Sequence, residues 1–246
     1  MPALSPDQVN SLLVKKLIQD LVIECTSNTQ VVVKSGSRAG ADDGAVIMQL
    51  ASDLTLDITV AGKNGLDTGS EASDTWYYLW MIYNPATEEV AGVLSVSATA
   101  PTLPSGFTKK RLVGAVRNDG SSNFRTFIQR GTRVQYLTGA SVLSAGSATA
   151  FTAISLTSAI PSGTDSILYE VRVNDTTTAT PNAILSLDGT SNSVAVNASL
   201  TGSGATSFLN TGLMELVNNL TDQIWYRVTQ VQDDCDIWVD GFTLNL

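Results

Sequence analysis

The run WYYLWMIY at residues 76–83 constrains the fold of this chain more than any other stretch. It is aromatic or aliphatic at every position and ends at Asn84-Pro85. Aromatic residues favour strands, and a strand without polar alternation needs cover on both faces. The run therefore predicts a central strand with a core on each side.

Shorter strand signals surround it, separated by turn residues. In the first half they fall at 31–34, 45–50, 54–60, 90–96, 112–117, 124–129 and 134–137. Leu54, Leu56, Ile58 and Val60 alternate with Thr55, Asp57 and Thr59, which is the pattern of a half-buried strand. Asn118-Asp119-Gly120-Ser121 predicts a hairpin turn, with 124–129 as its return strand. In the second half, Ile167, Tyr169, Val171 and Val173 alternate with Leu168, Glu170 and Arg172. Further strands are expected at 183–187, 194–200, 224–231 and 237–244, a loop at 202–207, and an ambiguous segment at 213–217. The fold class expected is mainly β: two antiparallel β-sandwich or jelly-roll-like domains. Residues 138–150 are rich in Gly, Ala and Ser. They divide the chain into 1–137, a linker at 138–149, and 150–246.

One helix is predicted, over residues 5–20. Ser5 is a natural N-cap, Pro6 suits the first helical position, and Gln8 completes a capping box. Leu13, Val14, Leu17, Ile18 and Leu21 lie at helical spacing and are the candidate assembly residues. Two readings stay open: the apolar side packs on its own domain, or it docks in an oligomer.

The charge is divided unevenly. Residues 1–137 hold 12 Lys/Arg and 13 Asp/Glu, a net of −1; residues 138–246 hold only Arg172 and Arg227 against ten acids, a net of −8. Nucleic-acid binding needs cations to displace counterions, so none is expected of the second half. Lys109, Lys110 and Arg111 form a small basic cluster that reads as a solvated strand end. No segment reaches the roughly 18 apolar residues of a membrane helix, and residues 1–20 lack the features of a signal peptide. Folding in a cytoplasm is expected. Cys25 and Cys235 both sit in apolar stretches and read as buried free thiols, with a disulfide as the lesser alternative.

The chain has no histidine. This removes Ser-His-Asp and Cys-His activation and the usual transition-metal ligand sets. No phosphate-binding loop or dinucleotide fingerprint occurs. Carboxylates remain, and a glycosidase needs only two. The candidates are Glu88, Glu89, Glu170, Asp233, Asp234, Asp236 and Asp240. Glu88 and Glu89 read as turn charges, Glu170 as an outward-facing strand residue, and Asp233-Asp234 as a turn where calcium is the alternative occupant. No catalytic residue, cofactor or metal ligand is assigned on this evidence. Trp225, Tyr226 and Trp238 raise sugar stacking, with core packing as the plainer reading.

The stretch WYYLWMIYNPATEEVAGVLSVSATAPTLPSGFTKKRLVGAVRNDGSSNF, residues 76–124, resembles a segment of structural proteins of tailed bacteriophages, tail fibres among them. The likeness lies in the aromatic strand ending Tyr83-Asn84-Pro85, the Val93-Leu94-Ser95 return, Pro104-Ser105-Gly106, and 112–116 before the Asn-Asp-Gly-Ser turn. IWVDGFTL at 237–244 resembles the last strand of such domains. The resemblance covers about a fifth of the chain and brings no functional residues with it. It implies a non-enzymatic virion protein, a homo-oligomer with a trimer as the first expectation. The implied partners are other virion proteins and a host surface glycan. Capsid decoration or tail-adaptor function and a carbohydrate-binding module are the alternatives.

Overall fold

The computed structural model describes residues 5–175, 183–190, 206–216, 222–229 and 234–246. The chain forms two compact units, residues 1–134 with Leu246, and residues 135–245. The strand expected at 194–200, most of the loop expected at 202–207, and Asp233 lie outside the described residues.

In the first unit, helix α1 (Pro6–Lys15) leads into β1 (Ile18–Gln19), β2 (Val22–Cys25), β3 (Gln30–Val33), β4 (Arg38–Gly40), β5 (Ile47–Gln49) and β6 (Leu54–Asp57). These are followed by β7 (Gly65–Leu66), β8 (Thr75–Asn84), β9 (Glu89–Ser95), β10 (Lys109–Asn118) and β11 (Phe127–Arg130). Within this unit the strands run in the orders β10-β8-β9-β7 and β11-β2-β3-β6, beside a small sheet β1-β4-β5. All pairings are antiparallel except β7 with β9.

The aromatic run is β8, and it is covered on both faces. Tyr77, Leu79 and Met81 are buried on one side. There Leu54 and Leu56 of β6 lie over Gly92 of β9, so the two layers pack as a sandwich. On the other side Trp80 and Ile82 pack with Ala91, Val93 and Phe107, with Tyr78, Leu103 and Leu112 at the margin. Phe107 and Leu103 come from the segment after β9, which folds back over the sheet as a second cover.

The chain departs from the sequence expectation at two places in this unit. The return strand expected after the Asn118 turn does not run back along β10. Phe124 makes one bridge with Asn118, and the chain then crosses to the facing sheet, where Phe127–Arg130 pairs with β2. The crossing puts Phe127 and Gln129 into the core, which an outer hairpin strand would leave half-exposed. The helix expected over 5–20 ends at Lys15, with Lys16 as its C-cap. Ile18 and Gln19 instead pair with Ala39 and Arg38. The β-branched Ile18 and the left-handed Asp20 (φ 53°) favour that exit.

In the second unit, β12 (Arg133–Gly146, entered from the first unit), β13 (Thr152–Ser155), β14 (Thr164–Asp175), β15 (Ala183–Ser186), β16 (Thr206–Glu215), β17 (Gln223–Val228) and β18 (Asp234–Leu244) form two sheets. Their orders are β16-β14-β18-β12 and β13-β17-β15. Each buries one face. Ile167, Tyr169, Val171 and Val173 of β14 are buried with Cys235, Ile237 and Val239 of β18; Ile224, Tyr226 and Val228 are buried on β17. Tyr136 and Phe242 meet edge to face at 5.7 Å. This is the sandwich class again.

The stretch read as a linker, 138–149, is mostly strand: β12 continues to Gly146. Its small residues serve packing rather than slack, since Ala140 and Gly146 are buried within the sheet.

Candidate functional site

Helix α1 carries the first candidate surface. The capping box forms as the sequence predicts: Ser5 Oγ accepts from the Gln8 amide at 3.3 Å, and Gln8 Oε1 accepts from the Ser5 amide at 2.9 Å. At the other end the Arg111 guanidinium donates to the Lys15 carbonyl at 2.5 Å, placing a cation at the negative end of the helix. Val14 lies against Gly40, where any side chain would overlap its carbonyl oxygen. Ser11 Oγ donates to the Asp43 carbonyl at 3.4 Å.

The assembly candidates therefore separate. Leu21 is buried and Val14, Leu17 and Ile18 are half-buried, with Leu17, Ile18 and Leu21 beyond the helix. Leu13 is 65% exposed, and beside it Val9 (42%) and Leu12 (45%) are exposed as well. Positions 9, 12 and 13 lie at helical spacing, so the stripe was legible in the sequence. Taking the helix to residue 20 drew the apolar side toward residues that leave it.

The basic cluster is internally engaged. Lys109 pairs with Asp43 at 2.5 Å; Lys110 donates to the Thr99 carbonyl at 2.6 Å and lies 4.9 Å over the Trp80 ring; Arg111 also lies 3.8 Å from Asp42. These cations hold the ends of β10 and the helix.

The second candidate surface is the outward face of the sheet β16-β14-β18-β12. Trp238 is half-buried there, with the Arg172 guanidinium 4.9 Å from its ring. Arg172 is held by two hydrogen bonds to Asp236, at 2.8 and 3.2 Å, and Asp236 also accepts from the Ala145 amide at 2.9 Å. Trp225 is half-buried on the outward face of the other sheet, with Gly189 against its pyrrole edge, and Tyr226 is buried. The two indoles thus belong to different sheets of the sandwich and do not share one platform.

Among the described residues the candidate carboxylates do not converge in a cleft. Glu88 sits in a turn at φ 57°, Glu89 pairs with Lys63 at 2.9 Å, and Glu170 is half-buried beside Trp238 across the strand pair. Among the described residues no group of three or more Asp, Glu or Cys is placed to hold a metal ion. No helix among them is long and apolar enough to cross a membrane.

Cys25 and Cys235 are both free and buried. Burial pushes each thiol up from 9.0 to about 12. A group whose pKa is raised on folding adds stability below its unfolded value and loses it as pH rises toward the folded one. Stability is therefore expected to fall between pH 9 and about pH 12. A thiol-disulfide reagent at neutral pH should label neither cysteine until denaturant is added; prompt labelling of the native protein would show that the thiols are not sealed in the core.

No family model matches the chain, and no curated protein matches its sequence.

Proposed function

We propose that this protein is a non-enzymatic structural component of a tailed-phage virion, of the tail-fibre or tail-associated type, that acts by self-assembly and surface binding. The observation that carries the reading is the exposed apolar stripe of α1. An isolated helix of ten residues is marginal in water. This one is capped at both ends and fastened to β4, yet it turns Val9, Leu12 and Leu13 outward. Burying them against another subunit removes that surface from water, at about 25 cal/mol per Å². The resemblance of residues 76–124 to phage structural proteins supports the virion setting, and the absence of histidine supports a role without catalysis. Capsid decoration or adaptor function would use the same helix and differ only in the place occupied on the particle.

The test is the triple variant Val9→Gln, Leu12→Gln, Leu13→Gln. All three side chains are exposed on the single chain, so the variant should keep the wild-type fold, read as an unchanged far-ultraviolet circular dichroism spectrum. The mass in solution should fall from oligomer to monomer, and incorporation into particles should be lost. A wild-type protein that is itself monomeric, or a variant that assembles unchanged, would remove the basis for the reading.

A further inference from the structure

The outward face of the β16-β14-β18-β12 sheet carries an irregularity with a chemical consequence. Along β14 and β18 the register runs Tyr169 to Val239 and then Leu168 to Gly241, which leaves Asp240 as an extra residue. Such a bulge re-aims a side chain and interrupts pairing. Gly241, the next residue, has no side chain, so the space above the bulge belongs to the Asp240 carboxylate. Gly139 on β12 keeps that space open, since a Cβ there would run into Asp240 Oδ1.

The two outward aspartates of β18 differ in how far they are satisfied. Asp236 is engaged by Arg172 and the Ala145 amide. The Asp240 carboxylate takes no hydrogen bond from the described residues, since the nearby Gln135 amide donates to the Asp240 backbone carbonyl instead, at 2.9 Å. Asp240 is nonetheless partly desolvated, which raises its pKa. It lines a shallow groove of about 320 Å³ with Gln135, Leu168, Thr211 and Leu213. Leu213 is 60% exposed. Trp238 stands two residues from Asp240 on the same strand.

We infer that this groove is a binding subsite for a neutral saccharide, with Asp240 as its principal hydrogen-bond acceptor. A sugar ring has an apolar C–H face and a rim of hydroxyls. The groove offers two leucine side chains for the first and a carboxylate, an amide and a hydroxyl for the second. A hydroxyl donating to a carboxylate makes one of the stronger hydrogen bonds available to an uncharged ligand. Anionic ligands are disfavoured: the second unit has two arginines and ten acids, and both arginines are engaged, Arg172 with Asp236 and Arg227 over Phe151 at 5.1 Å. An ammonium group is served less well, because it needs several acceptors: among the described lining residues Asp240 is the single carboxylate, and Glu170, opposite Thr211 on β14, is not part of the lining.

The inference rests on the reading of the protein as a surface-binding virion component, but its test is separate. Saturation-transfer difference NMR on the full chain with methyl glycosides of glucose, galactose, mannose and N-acetylglucosamine should show transfer to at least one. Affinity should be insensitive to salt. Asp240→Ala should weaken it roughly tenfold or more, the worth of a charge-assisted hydrogen bond, and Thr211→Val by less, with melting temperatures confirming that both variants fold. Absence of transfer to every glycoside, an affinity unchanged by Asp240→Ala, or binding of methylammonium in place of the glycosides would overturn the site. Loss of the site with assembly through α1 intact would leave the virion reading standing; glycoside binding by a protein that joins no particle would overturn the virion reading alone.

Discussion

Replacing Trp80 with alanine is expected to destabilise the protein by about 3–5 kcal/mol, the range for truncating a buried large aromatic. Trp80 is 3% exposed and packs with Ile82, Ala91, Val93 and Phe107. Its indole nitrogen donates to the Ser97 carbonyl at 3.1 Å, and Lys110 lies over its ring. The substitution therefore opens a cavity, leaves a carbonyl without its donor, and loosens the 96–108 cover that rests on the indole. Adjustment by that cover would bring the cost toward the lower figure. Denaturant unfolding followed by tryptophan fluorescence reads the effect as a lower midpoint at unchanged slope. A midpoint unaffected by the change would contradict the placement of β8 between two covers.

The second large effect is expected at Gln129. Its side chain is fully buried, and its amide donates to the carbonyls of Val113 at 2.7 Å and Gly131 at 2.8 Å. Val113 is the residue passed over where β10 shifts register against β8, between Leu112 and Gly114. A bulge disrupts the ladder locally, and here Gln129, reaching across from the facing sheet, takes the Val113 carbonyl. Gly114 is part of the same device: a Cβ there would press on Gln129 Oε1 and Ile23 Cδ1. Gln129→Met keeps the volume and removes both donors. It should cost about 1–3 kcal/mol for the buried Val113 carbonyl left unsatisfied, and a smaller amount for the Gly131 carbonyl, which is only partly buried. Gln129→Ala adds a cavity and should cost more. A Met variant as stable as the wild type would show that the bulge does not depend on this side chain.

Much of the architecture is legible in the sequence. The unbroken apolar run at 76–83 could be satisfied only by cover on both faces, and β8 has it. Alternation at 167–173 assigned inward and outward residues correctly, because the two-residue period of a strand maps directly onto its faces. The Ser5/Gln8 box marked the start of the helix because capping is local. What was missed depended on partners distant in the chain. Where a loop to 207 and an ambiguous segment from 213 were expected, β16 (Thr206–Glu215) is continuous strand, because β14 pairs along its whole length. Residues 138–146 have the composition of a linker, yet neighbouring strands fill the space that small side chains leave.

The candidate sites divide in the same way. That α1 would be amphipathic followed from spacing alone. That Val9, Leu12 and Leu13 face away from β4 was decided by the docking of Val14 on Gly40. Trp225 and Trp238 were named from their chemistry, but only the packing placed them on separate sheets. Asp240 was one of several acids in the sequence. The register shift against β14 singled it out, and a register shift is a relation between two strands some seventy residues apart. Local propensity and periodicity are properties of a short window, so the sequence by itself determined the type and inward face of the strongly patterned strands and the start of the helix. Strand partners, bulges and the exposure of an apolar stripe are settled by which distant surfaces bury one another, and only the tertiary structure decided those.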